Sequence, residues 1–388
     1  MSAVYEVRIK TRAGVLREIL TGAMGDPYSG HNDGYSQLSY VREVNGIGSG
    51  LFVINAESDV VSALATNGEP DLDVQVEFWR YDSEYEIEPY CDFYGFLRDR
   101  EYLADDDGQV RFVAHLEEQN DLLRRAAILY RANIDGRSSF ASDPAETILK
   151  ALVTYNATSS GTTGDGRDRN VDSWGANVSV AADTAAGTSL TRSYMGRNLY
   201  DVLREVAESG GLDWSLVKTG AQSWQFRTAT LLGTDRSSGV NTVTFSLPYG
   251  NMRRPSLRGN HRSEKTVVTV GGQGTDSSRS TRTRTGSNYN ALYNSYETFV
   301  NGSQYSTDAG LDGEADERLE ELRARDSLSF DVIQVPSTLY GKHYFLGDKV
   351  RAYFMGFSYT PQIRRVSVDV RARGSQPTEQ IQITAADT

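Results

Sequence analysis

Leu72-Asp73-Val74-Gln75-Val76-Glu77-Phe78 alternates apolar and polar side chains with a period of two, the pattern of a strand with one buried face. Residues 92–98 and 110–116 repeat the alternation, and Asp105-Asp106-Asp107-Gly108 between them reads as a hairpin turn in which Asp and Gly accept positive φ. Toward the N terminus, residues 4–10 alternate, Arg12-Ala13-Gly14 turns, and residues 15–20 continue as a second strand. Residues 22–35 read as a loop, 36–44 alternate again, and the glycine turn at 45–50 leads to an apolar strand at 51–54. A short helical stretch at 57–65 ends near Asn67-Gly68. Six or more strands in this first segment predict a closed or nearly closed β-barrel.

From about residue 117 the period changes. Asp143-Pro144-Ala145-Glu146 reads as a helix start, with an N-cap carboxylate, proline at the first helical position and glutamate at N3. Ile148, Leu149, Leu152 and Val153 then share one apolar face. Residues 156–176 read as a loop or insertion. A second helix carries Leu199, Val202, Leu203 and Val206 and stops at Gly210-Gly211, and strands follow at 212–217, 223–228 and 240–247. The last third returns to strands at 266–270, 328–335, 349–357, 364–370 and 380–384. It also holds a polar arginine-bearing arm at 273–288 and a helix at about 308–325. That helix places Leu311, Ala315, Leu319 and Leu322 on one stripe, with Glu314–Arg318 and Glu321–Arg325 at i,i+4 spacing. The expected fold class is α+β, mainly β. Two β-barrel domains, 1–116 and 251–388, would flank a smaller mixed α/β domain at 117–250.

Phe93-Tyr94-Gly95-Phe96 and Phe354-Met355-Gly356-Phe357 echo each other, and each precedes a turn and an alternating strand. Glycine inside a strand marks a bulge or a barrel corner. Two related barrels explain the echo, and so does coincidence in a chain with 36 Gly and abundant aromatics.

The charge balance of 40 basic against 52 acidic residues, net −12, excludes a generic nucleic-acid coat. An apolar fraction of 38% is too high for a disordered chain. A single cysteine, Cys91, excludes a disulfide framework and a cysteine-based zinc site. The first thirty residues hold no continuous apolar signal region, and no run is long enough to cross a membrane as a helix, so synthesis in a cytoplasm is expected. His31, His115, His261 and His343 are scattered without the spacing of a helical metal site, and no Gly-x-Ser-x-Gly elbow is present. Asp165 to Asn170 has too few and mis-spaced oxygen ligands for a calcium loop. Gly271-Gly272-Gln273-Gly274 follows a strand, but no apolar helix period comes after it to bind phosphate. No catalytic residue, metal ligand or cofactor-binding residue is therefore expected, and the chain is read as no enzyme. Arg253, Arg254, Arg258, Arg262, Arg279, Arg282 and Arg284 form the one basic concentration. Nucleic acid, an acidic partner surface and a solvated arm all fit it.

The order of elements and several phrases resemble the tail hub (baseplate hub) proteins of long-tailed bacteriophages, including siphophage hub-like tail proteins. Tyr35 to Tyr40 leads through a glycine turn to Gly50-Leu51-Phe52-Val53-Ile54, and then to Tyr94-Gly95-Phe96. Asn198 to Leu203, running on through Gly210-Gly211-Leu212-Asp213-Trp214, is similar to that family's helix and strand. The most specific match is the segment from Tyr340-Gly341-Lys342-His343 to Gly347-Asp348-Lys349-Val350. The resemblance implies two tail-tube-like β-barrel domains per subunit and a homotrimer joining a six-fold tail tube to a three-fold tip. It further implies a channel passing double-stranded DNA and a tape-measure protein. The implied partners are the tail tube or distal tail protein on one side and tip, spike or fibre proteins on the other. The implied location is the virion tail, with no membrane partner. The alternative is a carbohydrate-binding or carbohydrate-active tail-tip protein on a β-scaffold. Trp79, Trp174, Trp214 and Trp224 read more easily as core than as a sugar platform.

A DNA channel must not hold its cargo, because every basic contact adds salt-dependent attraction. Some of Asp71, Asp73, Glu77, Asp82, Glu84, Glu86 and Glu88 are therefore expected to line or rim the lumen, and the 253–284 arginines to face a neighbouring subunit or partner.

Overall fold

The computed structural model describes residues 3–21, 34–66, 69–104, 108–129, 138–161, 169, 177–275, 278–303, 305–373 and 376–386. Residues 22–33 of the expected loop at 22–35, the Asp105-Asp106-Asp107 turn, most of the 156–176 insertion with its calcium-like motif, His31 and Trp174 lie outside them.

The chain is mainly β. Its spine is one eleven-stranded sheet running Met252–Asn260, Arg325–Val332, Gln376–Ala386, Gln362–Arg373, Gln37–Glu43, Ser49–Asn55, Val110–Glu118, Ile87–Ala104, Gln75–Asp82, Val4–Lys10, Leu16–Thr21. Every neighbouring pair is antiparallel. The strands expected in two separate barrels meet at a seam, where Gln362–Arg373 pairs with Gln37–Glu43 from Arg365↔Glu43 to Arg371↔Gln37. The seam follows from pattern: Val366, Val368 and Val370 alternate inward, and so do Leu38 and Tyr40 opposite. Both halves feed one core, in which Phe52, Phe78 and Phe93 from the first segment join Phe330, Val366, Val368, Ile381 and Ile383 from the last. Among the described residues the terminal strands, Leu16–Thr21 and Met252–Asn260, are not paired to each other, so no closed barrel forms.

The glycine echo dissolves. Gly95 lies inside Ile87–Ala104, where a Cβ would come within 2.8 Å of both the Phe93 ring and the Glu117 carbonyl oxygen. Gly95 therefore admits the Phe93 ring, which stacks on Phe78 at 5.1 Å. Gly356 sits in the two-residue turn between Arg351–Phe354 and Phe357–Tyr359, with Met355 and Gly356 both at positive φ. The expected single strand at 349–357 is thus a tight hairpin, and the two glycines do different jobs.

The middle segment holds helices α1 (Asp121–Arg124), α2 (Ala145–Ala157) and α3 (Leu199–Gly210) with a three-stranded sheet, Asn177–Val180, Ser223–Ala229 and Asp213–Gly220. Trp214, Trp224 and Phe226 pack there with Leu149, Leu152, Val202 and Val206. α3 stops at the expected glycines, where left-handed Gly211 donates to the Ala207 and Glu208 carbonyls, and at its start Asn198 accepts from Tyr200 N–H. α2 is not. Pro144 occupies the N-cap position, and Asp143 accepts instead from Ala141 N–H at 3.1 Å. A positive φ at Ser142 turns the strand end so that the Asp143 carboxylate closes the bend rather than the helix.

Helix α4 (Asp308–Glu321) buries Leu311, Ala315 and Leu319 against the small sheet Thr281–Thr285, Val267–Gly271 and Glu297–Asn301. The expected i,i+4 pairs on it are replaced. Arg318 bonds Glu321 one turn on at i,i+3, while Glu314 bonds Arg192 and Arg325 bonds Glu208, partners that tertiary packing brings in from the middle segment.

Candidate functional site

Local strand patterning places Arg80, Arg42, Asp92 and Glu118 on the sheet, and the chain's ends close over them. Arg80 is 2% exposed. It donates to Glu379 Oε1 at 2.9 Å, Glu379 Oε2 at 3.3 Å, the Tyr5 hydroxyl at 3.1 Å and the Tyr340 carbonyl at 2.8 Å. Asp92 accepts from the Tyr40 hydroxyl, the Tyr340 hydroxyl at 2.8 Å and Arg42 Nη1 at 3.2 Å. Burial and the Asp92 charge hold both phenols far above the usual tyrosine range, so they remain donors. Burial also raises Glu118, against the pull of Arg42 at 3.2 Å.

Arg42, Asp92 and Glu118 of this seam line one wall of a cleft of about 500 Å³ between the sheet and the middle segment. Glu77 also lines it. Burial tends to raise the Glu77 carboxyl, but Lys10 at 2.6 Å, Trp79 Nε1 at 2.8 Å and Lys218 at 2.9 Å hold it below the usual range. Burial lowers Lys218, which lies 4.1 Å from the Tyr94 ring centre. Asn45 joins the walls by donating to the Leu212 carbonyl at 3.1 Å and accepting from Trp214 N–H at 2.7 Å. Asp213 accepts from Gln362 at 2.6 Å and Arg364 at 2.9 Å, which adds the last strand pair to the joint. Each buried carboxylate here faces a cation or donors, so the arrangement locks three segments together. Among the described residues no group of three or more His, Cys, Asp and Glu is placed to hold a metal ion.

The residues singled out from sequence scatter. Asp73 is buried against Arg98 and Arg125, Glu77 serves the cleft, and Asp82 caps its own turn on the Glu84 and Tyr85 N–H groups. Those three carboxylates are not available to a lumen, whereas Glu84, Glu86 and Glu88 are exposed. The arginines also find partners within the chain. Arg282 pairs with Asp312 at 2.7 Å, Arg284 with Asp316 at 2.8 Å, and Arg253 and Arg254 with Asp331. Arg279 donates to the Gly271 and Gly272 carbonyls at 2.8 and 3.1 Å, so that glycine loop turns acceptors outward, the reverse of a phosphate cradle. His343 Nδ1 accepts from Leu339 N–H, and burial lowers the ring below the usual histidine range. His261 bonds Glu264 at 2.8 Å, and His115 lies 3.9 Å from Glu101. Trp214 and Trp224 are core, and Trp79 is covered by the Arg8 guanidinium at 3.9 Å. What sequence patterns miss is the Arg80–Glu379 pair. Its members stand 299 positions apart, and no local pattern connects them.

The two sheet edges are the other notable surface. Leu16–Thr21 exposes Leu16 and Ile19, with Val15 beside them, and Met252–Asn260 exposes Leu257 and Arg258.

One family model, the Siphovirus ReqiPepy6 Gp37-like protein, matches residues 27–384. The chain belongs to this family. No curated protein matches it. Among solved structures, the 43 kDa tail protein of prophage MuSo2 from Shewanella oneidensis is 11% identical with a TM-score of 0.59, over 100% of this chain and 98% of that one. The tail protein from Neisseria meningitidis MC58 is 12% identical with a TM-score of 0.56, over 100% and 97%. A chain of the lidded Francisella PdpA-VgrG complex is 10% identical with a TM-score of 0.57, over 100% of this chain and 53% of that one. The Gp37-like chain is thus a siphophage protein with the fold of prophage tail proteins.

Proposed function

We propose that this Gp37-like chain is a structural protein of the virion tail, a homotrimeric hub that joins the six-fold tail tube to the three-fold tip around a DNA channel. The observation that carries the reading is the open eleven-stranded sheet. It spans both ends of the chain in a fold shared, end to end, with two prophage tail proteins. A long exposed edge carrying apolar side chains is a template for adding strands, and stable proteins cover or pair it. Here the edges lie at opposite ends of one sheet, so that head-to-tail pairing of three copies would close the proposed ring. In this reading the two halves, 1–116 and 251–388, are tube-like lobes that become barrel walls only in the assembly, and 117–250 is the mixed segment outside them. The tail tube or distal tail protein, the tip proteins and the passing DNA are the proposed partners. Turnover is no part of the role.

Mass photometry tests the reading. Three copies of 42.9 kDa give about 129 kDa. Ile19→Glu, on an exposed edge position, should return the particle to monomer mass with its circular dichroism unchanged. A wild-type chain that stays monomeric up to micromolar concentration, alone and with its tail neighbours, counts against the hub.

A further inference from the structure

The segment from 261 to 323 has its own small core of Val268, Val270, Tyr305, Leu311, Ala315 and Leu319, and it shares no member with the two larger cores. It leaves the main sheet where the ladder between Met252–Asn260 and Arg325–Val332 ends, at the pair Asn260↔Arg325. The chain goes out through 261–266 and returns through 322–324. Lys265 N–H donates to the Leu322 carbonyl at 3.2 Å between the two crossings. Two adjacent crossings at a strand end make a natural hinge.

What holds this segment against the middle segment is polar and centred on one side chain. Arg192 stands on the strand Ser189–Tyr194 with its side chain 10% exposed, and it reaches Glu314 at 3.0 Å, Glu317, and Glu205 at 3.9 Å. Glu314 and Glu317 are on α4, whereas Glu205 is on α3. Beside them the Tyr305 hydroxyl lies 2.7 Å from the Thr191 carbonyl and 2.8 Å from Glu314. One guanidinium therefore bridges carboxylates from two segments, with Arg197 Nη1 at 2.7 Å sharing Glu205. Without it those carboxylates repel one another across the contact, and no shared apolar core opposes separation.

We propose that residues 261–323 form a hinged arm that swings about the Asn260–Arg325 pair and is clasped shut by Arg192. The loop at the hinge-side end of the arm's small sheet carries Tyr289, Leu292, Tyr293 and Tyr296, all exposed, so opening the clasp re-aims an aromatic patch relative to the main sheet. The hinge follows from these contacts whether or not the chain is a tail hub.

Spin labels at Leu292→Cys and Val240→Cys, in a Cys91→Ser background, report the arm-to-body distance by double electron–electron resonance. Both label positions are fully or almost fully exposed. The wild-type background should give one narrow distance peak. Arg192→Met, which keeps the aliphatic stem, should lose that peak to a broad distribution while the thermal melt of the main sheet persists. Should Arg192→Met fail to fold, raising salt from 0.05 to 1 M on the unsubstituted background should broaden the peak in the same way, because screening weakens a clasp made of charges. A single unchanged peak in high salt, or in a folded Arg192→Met, overturns the hinged arm.

Discussion

Replacing Arg80 by methionine probes the joint between the two ends of the chain. Arg80 makes four hydrogen bonds from a nearly inaccessible position, two of them to Glu379, whose side chain is 7% exposed. Methionine fills much of the volume but leaves the carboxylate with only the Tyr5 hydroxyl, at 2.5 Å, among these contacts, and it orphans the Tyr340 carbonyl. Removing one partner of a buried ion pair typically costs about 3–5 kcal/mol, because the remaining charge stays desolvated. That is a large fraction of a domain's roughly 5–15 kcal/mol of stability. Arg80→Met/Glu379→Gln removes the stranded charge, so its loss should fall short of the sum of the single losses by about 2 kcal/mol or more. Urea unfolding followed by circular dichroism on the four proteins of the cycle measures both quantities. A loss below about 1 kcal/mol for Arg80→Met, or additive losses across the cycle, refutes the reasoning that this pair holds the termini together.

Gly95→Ala should destabilise by several kcal/mol, because its Cβ meets a backbone oxygen and a packed ring. Gly356→Ala meets open space and should lose only about 1 kcal/mol from its positive φ; a comparison of the two melts checks the contrast. The Glu146 carboxyl is held down to about 2: burial opposes, but Lys150, Thr184, the Ala186 N–H and Thr228 together outweigh it. Its stabilisation is present above the ordinary glutamate value and is lost as pH falls from about 4.5 toward 2. Glu146→Gln should therefore flatten the acid limb of a stability–pH curve. Glu317 is pushed up to about 6, chiefly by burial, with Arg192 opposing and Glu314 and Glu205 adding to the rise. Its ionised form is disfavoured in the fold, so the strain present above pH 6 is relieved as pH falls toward 4.5. Protection of α4 in hydrogen exchange should accordingly increase between pH 7 and pH 5, beyond the intrinsic rate change, and the increase should vanish in Glu317→Gln.

Strand positions are legible wherever one face is buried. Residues 4–10, 75–82 and 110–118 alternate because their inward side chains meet the same core, and period two is the direct imprint of that burial. α3 is legible because Asn198 and Gly211 satisfy its orphan backbone groups locally. The fusion of the two ends into one sheet is not. An alternating strand specifies which face is buried but not which distant strand lies beside it, and one of the two partners of 37–43 is more than 300 residues away. Charge partners are illegible for the same reason. The spacing of carboxylates on α4 suggests helical pairs, whereas Asp312 and Asp316 pair with Arg282 and Arg284 of the neighbouring strand, and Glu314 pairs with Arg192 of the middle segment. The Phe-x-Gly-Phe echo misleads because glycine serves two unrelated needs, room for a ring at Gly95 and a left-handed turn at Gly356.

In the proposed hub the two outer edges of the eleven-stranded sheet meet between copies. A cryo-electron microscopy reconstruction of the purified particle tests it most directly. The expected result is a three-fold ring in which the strand Leu16–Thr21 of one copy runs beside Met252–Asn260 of the next at the roughly 4.8 Å spacing of paired strands. A monomer, or a ring that leaves both strands facing solvent, contradicts it.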